Sequence, residues 1–531
     1  MLQGFVNVPL EMALGTSSAP VDVQVSGEGG SWVLPAYLVS DGTCRARFAA
    51  PLPGRYTYSA STGAQGEITV APYAGENPLY RHGRLRVAAT RRSLEHADGT
   101  PFFWLADTWW MGLTTRLDWP RGFHSLVADR VIKGFNAVQM VAGPLPDFDA
   151  VTGAWNPQQQ NEGGFSWKEN WAALNPAYYD DADRRIAALV DAGLLPIIVG
   201  MWGYYLPFMG RERAMAHWRN LVARYAAYPV AWCIAGEVNM PTYSLFADQQ
   251  KAAAARNEQE AGWTEVARMV RHLDPYRNPL TAHPSHPDSR AMLHDESLLD
   301  LDLLQTGHGG YQSLGPTVET VQACLAKTPP MPVINSEVCY EGIMGGSWHE
   351  VQRFLFWTCL TLGCAGHTYG AQGIWAMNSR EERFYGTTPN WGDGFWQDVM
   401  HLPGSMHVGM GRQFVLRYPW WKLTPREEPA LPEGRLSAFS CGIPGALSII
   451  YLPVGCVANE LRGMHNSWAT DVAEIALEPG AYRACYLNPR TLEELPIGAA
   501  VPGCTGRWTP PPKPSMEDWV LVVENPDALP R

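Results

Sequence analysis

Two segments a hundred residues apart each end an apolar run in a carboxylate: Val230-Ala-Trp-Cys-Ile-Ala-Gly-Glu237-Val-Asn239 and Pro332-Val-Ile-Asn-Ser-Glu337-Val-Cys-Tyr340-Glu341. A buried parallel strand of a β/α barrel reads as such a run, and residues at its C-terminal tip reach the mouth of the barrel. Two opposed carboxyl groups there could share the work of breaking a glycosidic bond. One, protonated, assists the leaving oxygen, while the other attacks or activates water. A separation of about 5 to 5.5 Å gives retention of configuration and a wider one inversion, which sequence does not fix. Glu341 rivals Glu337 but falls in the loop beyond the strand, so Glu337 is preferred. Asn239 and Tyr340, beside the two acids, are candidate substrate contacts.

Other apolar runs end in polar and aromatic residues: Asp107-Thr108-Trp109-Trp110, Gln139, Trp202 with Tyr204, His283 with His286, Gln305 with His308, and His367 with Tyr369. Singly, each could be a satisfied strand-end group. Together they describe donors and acceptors for many hydroxyls between aromatic walls, as a sugar site needs. His283, His286, His308 and His367 could also hold a barrel-mouth metal. However, no His-x-His follows the first strand and no His-Glu-x-x-His occurs, so neither metal nor cofactor is expected. A Gly-x-Ser-x-Gly elbow and phosphate-binding glycine patterns are absent too.

Eight apolar runs can position these residues: Phe102 to Ala106, Ala137 to Val141, Leu195 to Val199, Val230 to Ile234, Leu280 to His283, Leu301 to Gln305, Val333 to Ser336 and Cys364 to Tyr369. Amphipathic stretches lie between them. Asp180 to Ala192, for example, puts Ile186, Leu189 and Val190 on one face before Gly193 stops the helix. The alternation predicts an α/β fold, a (β/α)8 TIM barrel over residues 79–413. Residues 1–78 alternate in short runs such as Val21-Asp-Val-Gln-Val and predict an N-terminal β-sandwich, with Pro72 to Pro78 as linker. A hairpin turning at Asp98-Gly99 leads into the barrel. Residues 414–531 return to short strands and predict a C-terminal β-sandwich, in which Thr509-Pro-Pro-Pro-Lys-Pro is a rigid turn.

Of 531 residues, 46% are hydrophobic and 17% charged, the composition of a globular chain. The 22 tryptophans are many, and those beside Gly and polar residues in predicted loops offer flat faces for sugar rings, although core and interface filling accounts for more than half of them. A net charge of −12 without a Lys/Arg cluster argues against nucleic acid. The longest stretch free of acidic and basic residues, between Arg353 and Arg380, holds His367, Gln372, and several Gly and Thr, so no membrane span is expected. The N-terminus lacks a basic region followed by an apolar one, and ten scattered cysteines include no Cys-x-x-Cys pair. A reducing, cytoplasmic location is therefore the expectation. The partner expected is a small glycoside or oligosaccharide, and self-association into a homo-oligomer is left open.

The strings Gly99-Thr-Pro-Phe-Phe-Trp-Leu-Ala-Asp-Thr-Trp-Trp110, Gly134-Phe-Asn-Ala-Val-Gln139, Asn335-Ser-Glu337, and Gly366-His-Thr-Tyr-Gly370 with Gly373-Ile-Trp375 resemble the apiosidase-like glycoside hydrolases. These are clan-A-like barrels of the DUF4038 type, often flanked by an N-terminal sandwich of the DUF5060 type and a C-terminal one of the collagen-binding type. The resemblance covers nearly the whole chain. It implies a retaining, exo-acting glycosidase with Glu237 as acid/base and Glu337 as nucleophile, on a furanoside or deoxysugar. It places Asp107, Gln139, His308, His367 and Tyr369 at the subsite. Two departures stand out. Gly236-Glu237 replaces the usual Asn-Glu pair, and apiosidase-type members carry Asp at the acid/base position, so apiose is not implied. The rival expectations are a non-catalytic carbohydrate-binding barrel and a metal-dependent sugar isomerase or lyase.

Overall fold

The computed structural model describes residues 1–285, 287–384, 391–392, 394–426, 439–454 and 474–530. Eight parallel strands form its centre: β1 (Trp104–Thr108), β2 (Ala137–Val141), β3 (Leu195–Val199), β4 (Ala231–Cys233), β5 (Leu280–Thr281), β6 (Asp302–Gln305), β7 (Val333–Glu337) and β8 (Gly366–Tyr369). Every residue in them is buried, as strands covered on both faces must be. They pair in the order β5-β4-β3-β2-β1-β8-β7-β6. Across the seam between β5 and β6, Asp300 N donates to Leu280 O and Thr281 Oγ1 to Leu301 O, each at 2.8 Å. The chain is thus a nearly closed (β/α)8 barrel.

β1 starts two residues later than the apolar run suggests. Phe102 is taken by the entrance hairpin, where it pairs with Leu94. The barrel helices of eight residues or more are α1 (Arg121–Ile132), α2 (Pro176–Asp191), α3 (Arg211–Tyr225), α4 (Gln249–Leu273), α5 (Leu314–Leu325), α6 (His349–Leu362) and α7 (Pro403–Val415). α2 begins a turn before the expected Asp180, because Pro176 is tolerated at the first helical position. It ends before Gly193, whose φ of 79° suits the left-handed residue after a helix. Among the described residues no helix is long and apolar enough to cross a membrane.

The N-terminal region holds a five-stranded sheet, in the order Leu2–Phe5, Gln65–Ala71, Gly54–Ala60, Asp22–Gly27, Gly30–Pro35, and a three-stranded one of Leu10–Ala13, Cys44–Phe48 and Tyr37–Leu38. Val23, Val25, Tyr56, Ile68 and Val70 from the first meet Met12, Ala46 and Phe48 from the second in one core.

At the other end, a six-stranded sheet runs in the order Thr424–Pro425, Phe439–Ile443, Leu447–Leu452, Trp519–Glu524, Tyr482–Leu487, Glu494–Ala500. Alternation gives it two apolar faces. Ile450, Leu452, Leu521 and Val523 pack under the short pair Ile475–Ala476 and Arg507–Trp508. Phe439, Cys441, Ile449, Tyr451, Val520 and Val522 join the barrel core instead. There Tyr451 stacks on Trp357 of α6 at 6.2 Å and 11°, and Phe439 meets Phe354 at 5.6 Å. Asp518 clamps the joint, accepting two bonds from Arg353 of α6 at 2.7 and 3.0 Å, a third from Arg490 at 2.6 Å and a fourth from Tyr451. Asp518→Ala would leave Arg353 buried without its partner. A loss of about 3 to 5 kcal/mol in stability by denaturant titration is expected.

Among the described residues nine cysteines are free and seven of these are buried, as small apolar side chains would be.

Candidate active site

Strand parity decides which of the singled-out residues reach the barrel mouth. In β1, Trp104 and Thr108 face the interior, where Trp104 Nε1 donates to Thr368 Oγ1 at 3.1 Å and Gln139 Nε2 to Thr108 Oγ1 at 2.9 Å. Asp107, one residue out of phase, turns to the helix layer, accepting from Arg130 Nε of α1 at 2.5 Å and from Trp109 Nε1 at 2.7 Å. Trp109 packs against Phe123 of α1 at 6.0 Å. In β8 the ring of His367 meets Phe356 of α6 at 5.6 Å, and Tyr369 Oη donates to Glu341 Oε2 at 2.5 Å. Asp107, Trp109, His367 and Tyr369 are therefore corrected to framework residues: one step along a strand reverses the face a side chain presents. Gln139 lies in the bore below the mouth and donates to Ser336 O at 2.9 Å, bracing the residue before Glu337. Asn239 is turned away as well, donating to Glu260 of α4 at 3.0 Å and accepting from Ser285. Glu341 is fully buried and takes Gly404 N, in the first turn of α7, at 3.0 Å. It anchors that helix and leaves the mouth to Glu337.

The mouth is a cavity of about 240 Å³ lined by Trp110, Trp202, Glu237, His308, Glu337 and Tyr340, all singled out from sequence. Gln305, noted as a strand-six donor, lines it too. Sequence reading missed Pro146, Asp147, Met240, Tyr243 and Trp391, and named Trp375 only within a string of the resemblance. All six come from long loops after the strands, where no periodicity marks an inward residue. His283 sits behind the wall, its ring 5.2 Å from that of Trp110. Position 286 lies outside the described residues.

Glu237 and Glu337 face one another across this cavity. Gln305 Nε2 donates to Glu237 Oε1 at 3.0 Å and to Glu337 Oε1 at 3.2 Å. The two oxygens can be no farther apart than those bonds laid end to end, about 6.2 Å. Trp202 Nε1 holds the other oxygen of Glu237 at 3.1 Å. Around Glu337, His308 Nε2 lies 2.8 Å from Oε1 and His283 Nε2 3.1 Å from Oε2, the latter out of line for a hydrogen bond. Of the metal-capable histidines, His283 and His308 thus flank one carboxylate, while His367 faces the helix layer. Among the described residues three metal-capable groups come together at Asp288, Asp302 and Cys324. They lie at the far end of β6, with Lys327 Nζ 2.6 Å from Asp288.

These surroundings push the two acids apart. Burial, reinforced by the charge of Glu337, raises Glu237 to about 7, against the weaker pull of Gln305, His283 and Trp202. Burial would raise Glu337 as well, but His283 and His308 override it and hold that carboxyl far below the usual range. His308, which burial alone would lower, is lifted to about 9 by its contacts with Cys339 and Glu337. One carboxyl is kept protonated near neutrality and the other ionised, a division that acid–base chemistry on one substrate requires.

Glu237 is aimed by a backbone departure: its φ is 40°, in the left-handed region a glutamate rarely adopts. Such strain is held where function needs a particular direction. The preceding Gly236 explains the departure from Asn-Glu, since a Cβ there would lie 2.1 Å from the indole of Trp202. The space an asparagine would fill is occupied by the tryptophan that holds the acid. Gly236→Asn is thus expected to displace Trp202 and lower kcat/KM by about 10²-fold, the size of effect a ~1 Å misplacement brings. Kinetics alongside a circular dichroism spectrum check this.

A nearly closed parallel barrel with two opposed carboxyl groups of divided acidity at the ends of β4 and β7 has the makings of a sugar-cleaving enzyme. Residues 88–422 match the family described as "Apiosidase-like, catalytic domain", and the chain belongs to that family; it is a glycoside hydrolase. Solved structures share the fold. A glycoside hydrolase family 5 protein from Bacteroides vulgatus ATCC 8482 is 21% identical, with a TM-score of 0.68 over 85% of this chain and 95% of that one. A second protein from that organism, described as a "putative glycoside hydrolase", is 14% identical, with a TM-score of 0.70 over 99% of this chain and 100% of that one. No curated protein matches the chain.

Proposed function

We propose that the enzyme is a retaining, exo-acting glycosidase in which Glu337 is the nucleophile and Glu237 the acid/base. The observation that carries this reading is the single amide nitrogen of Gln305 bridging both carboxylates. It holds one oxygen of each within about 6.2 Å of the other, which favours the close pairing of retaining enzymes over the ~6.5–9.5 Å between carboxyl groups that leaves room for an attacking water in inverting ones. Glu337, ionised, attacks the anomeric carbon as the bond to the leaving oxygen breaks, and Glu237 gives its proton to that oxygen. Water then enters, Glu237 takes its proton, and the bond to Glu337 breaks with a second inversion. Exo action is supported by the cavity, about 240 Å³, smaller than the ~300–1,000 Å³ of drug-sized ligand sites and fitted to one terminal ring. A furanoside or deoxysugar, both compact, is the substrate class we favour.

Proton NMR of the first-formed product tests the reading. The anomer released should have the configuration of the substrate, and the opposite anomer would remove the nucleophile from Glu337.

A further inference from the structure

The cavity holds a third carboxylate that the proposed reaction does not use. Asp147 follows Pro144-Leu-Pro146 in the loop after β2, and its φ of 60° again places a non-glycine residue in the left-handed region. The loop is fastened from several sides. Tyr204 Oη donates to Leu145 O and, at 2.6 Å, to Phe148 O; Thr242 Oγ1 and Ser244 N donate to Asp149 at 3.1 and 2.9 Å. One oxygen of Asp147 accepts from Tyr243 Oη at 3.0 Å, and that is the side chain's one hydrogen bond among the described residues. The carboxylate is half-buried and lines the same cavity as Glu237 and Glu337. A strained, fastened acidic residue with unused acceptor capacity in a sugar-sized cavity is a ligand contact in waiting.

Charge narrows the ligand. The described lining residues include three acids and one histidine but no Lys or Arg. A carboxylate, sulfate or phosphate on the sugar would meet the like charges of Asp147 and Glu337, and the one cationic side chain among the described lining residues, His308, is already engaged by Glu337 at 2.8 Å. Two sugar hydroxyls, in contrast, can donate together to one carboxylate. Burial and the charge of Glu337 raise Asp147 to about 6, so above that pH it is an acceptor only.

Resting on the reading above, we infer that Asp147 is the specificity residue of the site, gripping a pair of free hydroxyls on an uncharged terminal sugar, and that uronic acids and sulfated or phosphorylated sugars are excluded. The test is binding of free monosaccharides to the intact protein at pH 7.5, followed by the fluorescence of the tryptophans in the cavity wall. Neutral pentoses, hexoses and deoxyhexoses are titrated alongside their uronic-acid and amino-sugar counterparts. At least one neutral sugar should bind saturably and its uronic acid at least tenfold more weakly. Asp147→Ala should weaken the neutral sugar by about tenfold or more, the effect of losing hydrogen bonds to a charged group. Asp147→Asn, which preserves shape and one acceptor, should fall between, with both variants melting like the parent protein. Equal binding of the uronic acid, tighter binding of the amino sugar, unchanged affinity in Asp147→Ala, or no binding by any neutral sugar would each overturn the assignment. These constants do not depend on turnover, so an inverted product in the NMR experiment would overturn the mechanism and leave this inference standing.

Discussion

Glu337→Gln is expected to lower kcat/KM by about 10⁴-fold or more on every glycoside the enzyme accepts, because losing a covalent nucleophile disables the whole reaction route. The fold should survive the change. Glu337 already holds its two histidines in a buried cluster, and Gln keeps the volume and one acceptor for His308. The measurement is turnover on an activated aryl glycoside, with a thermal melt as control. A second readout ties the loss to chemistry: a 2-deoxy-2-fluoro glycoside should add its sugar mass to the parent protein on the peptide containing Glu337, and not to the variant. Near-parental turnover in Glu337→Gln would remove the assignment.

Glu237→Ala should divide substrates by their leaving groups. A general acid contributes about 10² to 10⁴ in rate, and only where the departing oxygen needs a proton. The loss in kcat/KM should therefore approach that range on sugar or alkyl leaving groups and stay near tenfold or less on dinitrophenyl glycosides. An equal loss on both would argue against the role. The pH profile gives an independent check. Glu237 acts protonated, and its pKa is raised to about 7, so activity of the parent enzyme should fall as pH rises through that value. Glu337 acts ionised and is held far below the usual carboxylate range, so its own acid limb should lie below that range, and a shallower step near pH 6 should mark protonation of Asp147. Glu237→Ala should abolish the alkaline limb, and azide should restore turnover by taking the place of the activated water.

The two acids were legible because each closes an apolar run too short for a helix and too continuous for a surface strand, a pattern that survives without any knowledge of neighbours. The barrel followed from counting such runs. Asp107, His367 and Tyr369 were misplaced for one reason: β1 and β8 are buried on both faces, so apolar content gives no phase, and phase is what separates a mouth residue from one facing the helices. Asp147, Tyr243 and Trp391 were out of reach for another. Their positions depend on how long loops fold back over the barrel, through fastenings such as Tyr204 to Phe148 that link segments with no shared period. Gly236 was visible only as a missing asparagine, and the indole that replaces it lies on the neighbouring strand's loop.

The family match closes at residue 422, yet the molecule does not come apart there. Phe354 and Trp357 of α6 press outward onto the terminal sheet, and Arg353 is sealed inside that contact by Asp518. A shortened enzyme ending at the match would present greasy helix and a stranded guanidinium to water, a surface prone to aggregation. The last hundred residues are accordingly no detachable appendage to a self-sufficient catalyst. Evolution could exchange the tail of such an enzyme only by refitting, at the same time, the outer wall of α6, the helix that directly precedes the strand carrying His367.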